Sequence, residues 1–250
     1  MTHFGLVELD LLSAHAGVPF PFPLRVPSFG RIPGERELLL AAAGQTLCAS
    51  GLAEESGPVG EAAEVVTALR EHRGTVHLVL VTGEGAVGVA ALVYRSWALV
   101  CRQQLDEDPA GTVAVQRVAD TALAEHLLAL VPEVAPARSM PITLPALAVR
   151  RAGAEQEGQL RDLVRDCGGD PLALDRLAHL LPSLSGRGQF GATRRTDTGR
   201  TRAGTELSWL DGPSGRLRVS SAEDDWVSVN PLRQRELQSA VAELSAAARC

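Results

Sequence analysis

Two stretches of this chain, 114 residues apart, carry one pattern, and that repeat limits the folds open to it more than any other feature. Residues 112–130 (TVAVQRVADTALAEHLLAL) and 226–244 (WVSVNPLRQRELQSAVAEL) align without a gap. Val113 matches Val227, Val115 matches Val229, Leu123 matches Leu237, Leu127 matches Val241 and Leu130 matches Leu244. Each copy alternates apolar and polar residues and then switches to a helical period, which reads as a strand followed by a helix. A strand–helix unit met twice implies one sheet built from two related halves. The halves are expected at about 1–135 and 150–250. The stretch holding Pro132, Pro136, Pro141 and Pro145 reads as their connector.

The first half opens with a short apolar helix around Leu6, Leu9 and Leu12, ended by Gly17. Pro19, Pro21, Pro23, Pro27 and Pro33 exclude a regular helix in the next stretch, an extended arm whose Phe20, Phe22, Leu24 and Val26 need an apolar support. Pro33 is expected in the first turn of a helix stopped by Gly51. Ala62, Val65, Val66 and Leu69 form one stripe of a second helix starting near Pro58. Residues 76–81 are apolar on both faces and suggest a central strand. Residues 89–94 and 97–102 read as a hairpin, and Asp120 as the cap of the following helix.

In the second half, helices are expected at 156–165 and 171–181. Strands are expected around Phe190 and at 207–210, 217–219 and 227–229, with a closing helix after Asn230 and Pro231. Leu207 and Trp209 alternate with Glu206 and Ser208, and Leu217 and Val219 with Arg216 and Arg218. Such strands pack one face on the core and leave the other wet or free for a partner. Residues 195–205 read as a solvated hairpin loop.

Length and charge narrow the function. A chain of 250 residues can bury a sizeable core as one large domain or two joined halves. No apolar run reaches a membrane-spanning length, and the opening residues, with Glu8 and Asp10, do not resemble a signal peptide. Cys48, Cys101, Cys167 and Cys250 show no paired spacing and suit a reduced, cytoplasmic protein. All 24 basic residues are Arg, a bias expected of GC-rich coding such as that of actinobacteria. The net charge of −6 disfavours a dedicated nucleic-acid binder. From Arg187 to Arg218, however, seven Arg face three acids, so one surface is expected to be locally positive.

Catalytic signatures are weak. Gly83-Glu84-Gly85-Ala86-Val87-Gly88 has the glycine spacing of a dinucleotide cradle. A cradle needs a helix N-terminus after the glycines, whereas this one precedes a β-branched and aromatic run. A Gly-rich turn is the simpler reading, with a nucleotide-dependent enzyme as the alternative function. His3, His15, His72, His77, His126 and His179 have no metal-site spacing, and Ser185 and Ser208 lie in no nucleophile elbow. No cofactor and no metal are expected. Trp209 and Trp226 read as core or sheet-face anchors, Trp226 as a lid where the first copy has the small Thr112.

The order of these segments resembles the EspG family, cytosolic chaperones of the type VII (ESX) secretion systems of actinobacteria. The resemblance is carried by residues 8–12 (ELDLL), 21–31 (PFPLRVPSFGR), 34–39 (GERELL) and 50–52 (SGL). In the second half it is carried by 187–191 (RGQFG), 208–211 (SWLD), 215–219 (GRLRV) and 226–231 (WVSVNP). Ile32 and Leu217 depart from the family pattern. The resemblance implies an α+β fold with pseudo-twofold symmetry, its central, mainly antiparallel sheet flanked by helical bundles. It also implies a non-enzymatic chaperone, monomeric when free, that binds the tip of secreted helical-hairpin proteins, PE/PPE or WXG-like, and delivers them for export. Nucleic acid and membrane insertion are not expected; a nucleic-acid-binding adaptor is the remaining alternative. From the alternating strands and the Arg excess, the partner surface is expected on the second-half strands and closing helix, with Arg194, Arg216, Arg218, Trp226 and Ser228 as its contacts.

Overall fold

Apart from the small hairpin of residues 53–58, the order of strands and helices in the first half recurs in the second. The computed structural model describes residues 1–106, 111–152, 154, 156–221 and 225–249. The first series is β1 (Thr2–Gly5), α1 (Leu6–Ala16), α2 (Glu35–Ala49), the two-residue strands β2 (Ala53–Glu54) and β3 (Gly57–Pro58), and α3 (Gly60–Glu71). It continues with β4 (Gly74–Thr82), β5 (Gly85–Tyr94), β6 (Trp97–Gln104), β7 (Thr112–Ala119) and α4 (Leu123–Leu128). The second series is β8 (Ile142–Pro145), α5 (Ala146–Arg151), α6 (Glu157–Asp166) and α7 (Pro171–Leu180). It ends with β9 (Gly186–Thr196), β10 (Gly199–Gly212), β11 (Gly215–Ser221), β12 (Trp226–Pro231) and α8 (Gln234–Ala247).

Among the described residues, one sheet of ten strands runs in the order β1-β7-β6-β5-β4-β9-β10-β11-β12-β8. The two halves meet where β4 pairs antiparallel with β9. There His77 stands opposite Gly191, residues separated by the same 114 positions as the sequence repeat. The hairpin turns also correspond at that spacing, with Thr82 paired to Gly85 and Thr196 to Gly199. A pseudo-twofold axis therefore crosses the sheet between His77 and Gly191. The apolar strand at 76–81 lies at the centre of the sheet, as its two-sided hydrophobicity requires.

The pleat assigns alternate residues to opposite faces. One face carries Leu78, Leu80, Val89, Phe190, Leu207 and Trp209, and is covered by α4 and α8 through Leu123, Leu127, Leu237, Val241 and Leu244. These helix residues are the ones the repeat pairs. Full burial of such a side chain is worth roughly 1.5–3 kcal/mol, enough to fix both helices on the sheet. The opposite face is covered at its two sides only. Helices α1–α3 pack on Ala90, Leu92, Leu99, Cys101, Val113 and Val115. Helices α5–α7 pack on Leu217, Val229, Ile142 and Leu144.

Four local expectations are corrected. Pro33 precedes the helix cap, Gly34, rather than standing in the first turn, and Glu35 Oε2 accepts from the Arg31 and Ile32 amides. Asp120 does not cap α4: it starts a 3-10 turn, and its carboxylate lies 3.5 Å from Arg249. Residues 195–205 are not a loop, since β9 and β10 run through them to a two-residue turn. The proline-rich connector contains β8 and α5, the counterparts of β1 and α1, so secondary structure of the second series begins at Ile142. Pro145 is tolerated because β8 is an edge strand.

Candidate functional site: an open sheet face between two helical bundles

Between the bundles, among the described residues, no helix lies over β4, β9 and β10 on the face opposite α8. Val79 and Val81 of β4, Arg187 and Gln189 of β9, Ser208 and Leu210 of β10 and Val219 of β11 line a concave surface there. Phe22 of the N-terminal arm closes one side, and the cavity measures about 450 Å³. Across strand register, Val79 pairs with Gln189, Gln189 with Ser208 and Ser208 with Val219, so these residues form one continuous floor. Beyond Val219, a second cavity of about 540 Å³ opens between β11 and α7, lined by Met140, Ile142, Leu172, Leu180 and Leu217. Leu210 and Leu217 are cross-strand partners, so the two cavities adjoin. From β4 to β11 the floor crosses three strand spacings, ~14 Å at 4.7–4.9 Å each. One α-helix of about 10–12 Å diameter fits this width, and two side by side do not.

The arm that walls the cavity is fixed by its own polar contacts. The Arg25 amide donates to Gln103 Oε1 at 2.7 Å, and Gln103 Nε2 donates back to the Arg25 carbonyl at 3.0 Å. Farther along, Asp10 accepts from the Phe29 amide at 2.8 Å and from Arg36 Nη1 at 2.7 Å. The Asp10 carboxylate raises the Arg36 pKa by hydrogen bonding. Three residues before the first of these anchors, the Phe22 ring meets His77 edge-on, with centroids 5.1 Å apart, yet stays 64% exposed. The imidazole of His77 lies against Gly191, where a Cβ would stand 2.6 Å from the ring. Burial pushes the His77 pKa down, against the opposing pull of Glu206.

The structure separates the five residues expected to meet the partner. Arg216 is 1% exposed: its guanidinium donates to Asp211 at 2.7 and 2.8 Å and to the Pro132 carbonyl at 2.9 Å, and lies 5.3 Å from the Trp209 ring centroid. It is an internal ion-pair residue and is withdrawn from the partner surface. Arg218 pairs with Trp209 across β10 and β11, on the α8 side, and its Nε is buried without a hydrogen-bond partner among the described residues. Ser228 shares that face and meets Ser220 Oγ at 2.9 Å, while Trp226 is half-buried opposite Pro145. Arg194 is exposed near the start of β4, opposite Gly74. None of the five lines the open cavities. Strand alternation identified two faces, but not which one the helices would leave uncovered.

The alternative readings lose their geometry. Gly85 to Gly88 belong to β5, paired throughout with β4, so no helix N-terminus follows the glycines and no phosphate cradle forms. No group of three His, Cys, Asp or Glu residues among those described could hold a metal ion. Burial lifts the Cys101 thiol to about 12, which makes it inert; Cys48 and Cys167 are unpaired, and Cys250 lies outside the described residues. No helix among the described residues is long and apolar enough to cross a membrane.

A symmetric antiparallel sheet with paired bundles and an open central face has the shape of a binding scaffold. The EspG family model matches residues 6–243, nearly the whole chain, and the chain belongs to the EspG family. Among solved structures, it is similar to the Mycobacterium tuberculosis type VII secretion system chaperone EspG5, solved in complex with a PE25–PPE41 dimer. The TM-score is 0.68 at 13% identity, over 98% of this chain and 96% of that one. At that identity the likeness speaks for the fold. Comparison with curated protein sequences gives no match.

Proposed function

We propose that this protein is a cytoplasmic chaperone of type VII secretion that holds the tip of a helical-hairpin substrate, PE/PPE or WXG-like, in the open face between its bundles. The observation that carries this reading is the partly exposed apolar floor of Val79, Val81, Leu210 and Val219, continued by the exposed Met140 and Leu172 toward α7. A secreted hairpin with an apolar tip self-associates unless something covers it, and a concave apolar sheet with a polar rim covers it without chemistry. The floor's width supports end-on capture of a tip, or a single helix, over side-on capture of a two-helix face. The structural relative, itself a chaperone bound to a PE–PPE dimer, supports the substrate class. We read the protein as binding rather than reacting, and its chain as one domain of two halves dividing before Ile142 rather than near residue 150. The partner surface moves with this reading from the α8 side, where Arg218 and Ser228 lie, to the opposite face.

Co-expression with helical-hairpin substrates of the host's ESX system tests this directly. The intact protein is expected to keep a substrate soluble and co-purify with it, and Val219→Glu with Leu210→Glu to abolish both. Unchanged co-purification by that variant, folded as judged by circular dichroism, would contradict the placement.

A further inference from the structure

Resting on that reading, we infer that Arg187 and Phe22 set the specificity of the open face: the bound tip carries a carboxylate for Arg187 and, on the same side, an apolar side chain for Phe22. Arg187 is exposed on the cavity floor, and its side chain has no ion pair or hydrogen bond among the described residues. That distinguishes it from the arginines of the neighbouring bundle, which already have acids. Arg161 pairs with Glu157 and Asp175, Arg165 with Asp162, and Arg176 with Asp170. The nearby acid of the same sheet face, Glu206, accepts from Gln189 Nε2 at 3.2 Å and lies 3.7 Å from Arg202. A cation beside apolar surface with no internal counter-ion selects a partner that brings one.

Phe22 supplies the second element. A large aromatic side chain, two-thirds exposed and held by a backbone tied at Arg25 and Phe29, loses little further freedom on binding. Aromatic residues in such positions carry a disproportionate share of interface energy. The two groups are also spaced. Phe22 sits on His77, and Arg187 lies opposite Val81, four residues along β4. At about 3.3 Å per residue that is ~13 Å between the two strand positions. On a helix lying along β4 the matching apolar and acidic positions are therefore about two turns apart on one side, at about 5.4 Å per turn.

The test uses the full chain and a displayed library of one stable two-helix hairpin whose tip residues are randomised. Tips retained by the wild type are expected to favour Asp or Glu over Arg or Lys at one position by about tenfold. Arg187→Gln is expected to level that preference and Arg187→Glu to reverse it. Phe22→Ala is expected to reduce selection for a large apolar tip residue about tenfold while keeping the acidic preference. Arg194→Glu, on the other face, is expected to leave both unchanged. Both tested side chains are exposed, so circular dichroism melting curves should match the wild type. A wild type that retains tips without charge preference overturns this inference alone. So does an acidic preference surviving Arg187→Glu, or apolar selection surviving Phe22→Ala. A wild type that retains no tip overturns the chaperone reading with it.

Discussion

The two helical bundles share one order of elements but close on the sheet to different depths. In the first, α1, α2 and α3 are 11, 15 and 12 residues long, and Leu9, Leu12, Leu47, Val65 and Leu69 are buried against β5–β7. In the second, α5, α6 and α7 are 6, 10 and 10 residues long, and the buried cluster is confined to residues such as Leu144, Ala148, Val164 and Leu217. Met140 and Leu172, 73% and 60% exposed, border the cavity beside α7. The second bundle leaves Met140 and Leu172 exposed at the cavity beside the sheet, whereas the exposed apolar residues of the first, Leu38 of α2 and Ile32 before it, line neither open cavity. That asymmetry suits a protein whose second core is completed by a partner.

The largest expected effect lies under the second half. The cross-strand pair Asp211–Arg216 occupies the hairpin position that Val93–Ala98 holds in the first half. Arg216→Ala leaves a buried carboxylate unpaired and is expected to cost about 3–5 kcal/mol in urea unfolding. Asp211→Val combined with Arg216→Met, which copies the apolar character of the first half, is expected to restore most of that loss. If the double variant is as unstable as the single one, the halves differ for another reason. Next, Leu69→Ala in α3 is expected to cost about 3–4 kcal/mol, against roughly 2 for Leu160→Ala in α6, because the thinner bundle collapses more readily around a deletion. Equal costs would remove the asymmetry.

Smaller effects sharpen the same contrast. Met140→Ser and Leu172→Ser change exposed side chains and are expected to shift stability by less than about 0.5 kcal/mol while weakening substrate capture. Measurement of both quantities on one preparation separates surface from core. The pH effect belongs to the first half and the central axis. His72 donates from Nδ1 to the Ala68 carbonyl, its Nε2 is buried without a partner among the described residues, and burial lowers its pKa, as it does that of His77. A histidine whose folded pKa is depressed binds fewer protons than the unfolded chain, so stability falls as pH drops through the unfolded value of about 6.5. Melting temperature is expected to decline from pH 7.5 to pH 5.5, and less so in His72→Gln.

Much of the architecture was legible because the repeat falls where both copies meet the same core. Leu123 and Leu237, with Leu127 and Val241, face one sheet surface and keep the same spacing. The extended β9–β10 hairpin was hidden because its outer ends carry Thr and Arg into solvent, leaving no apolar alternation to detect. Strand β8 was hidden by Pro141 and Pro145, which edge pairing accommodates. Arg216 was misread because alternation fixes the direction of a side chain and not what covers it; Trp209, Asp211 and Pro132 cover it here. The open face left no local signature, since it consists of strand residues over which no helix extends among the described residues.

Hydrogen–deuterium exchange on the chain alone and with a co-purified helical-hairpin substrate tests the central claim most directly. Slower exchange on binding is expected in β9, β10, β11 and α7, with α4 and α8 unchanged. Protection confined to α8 and the β12 edge, with the strands between the bundles unaffected, would contradict it.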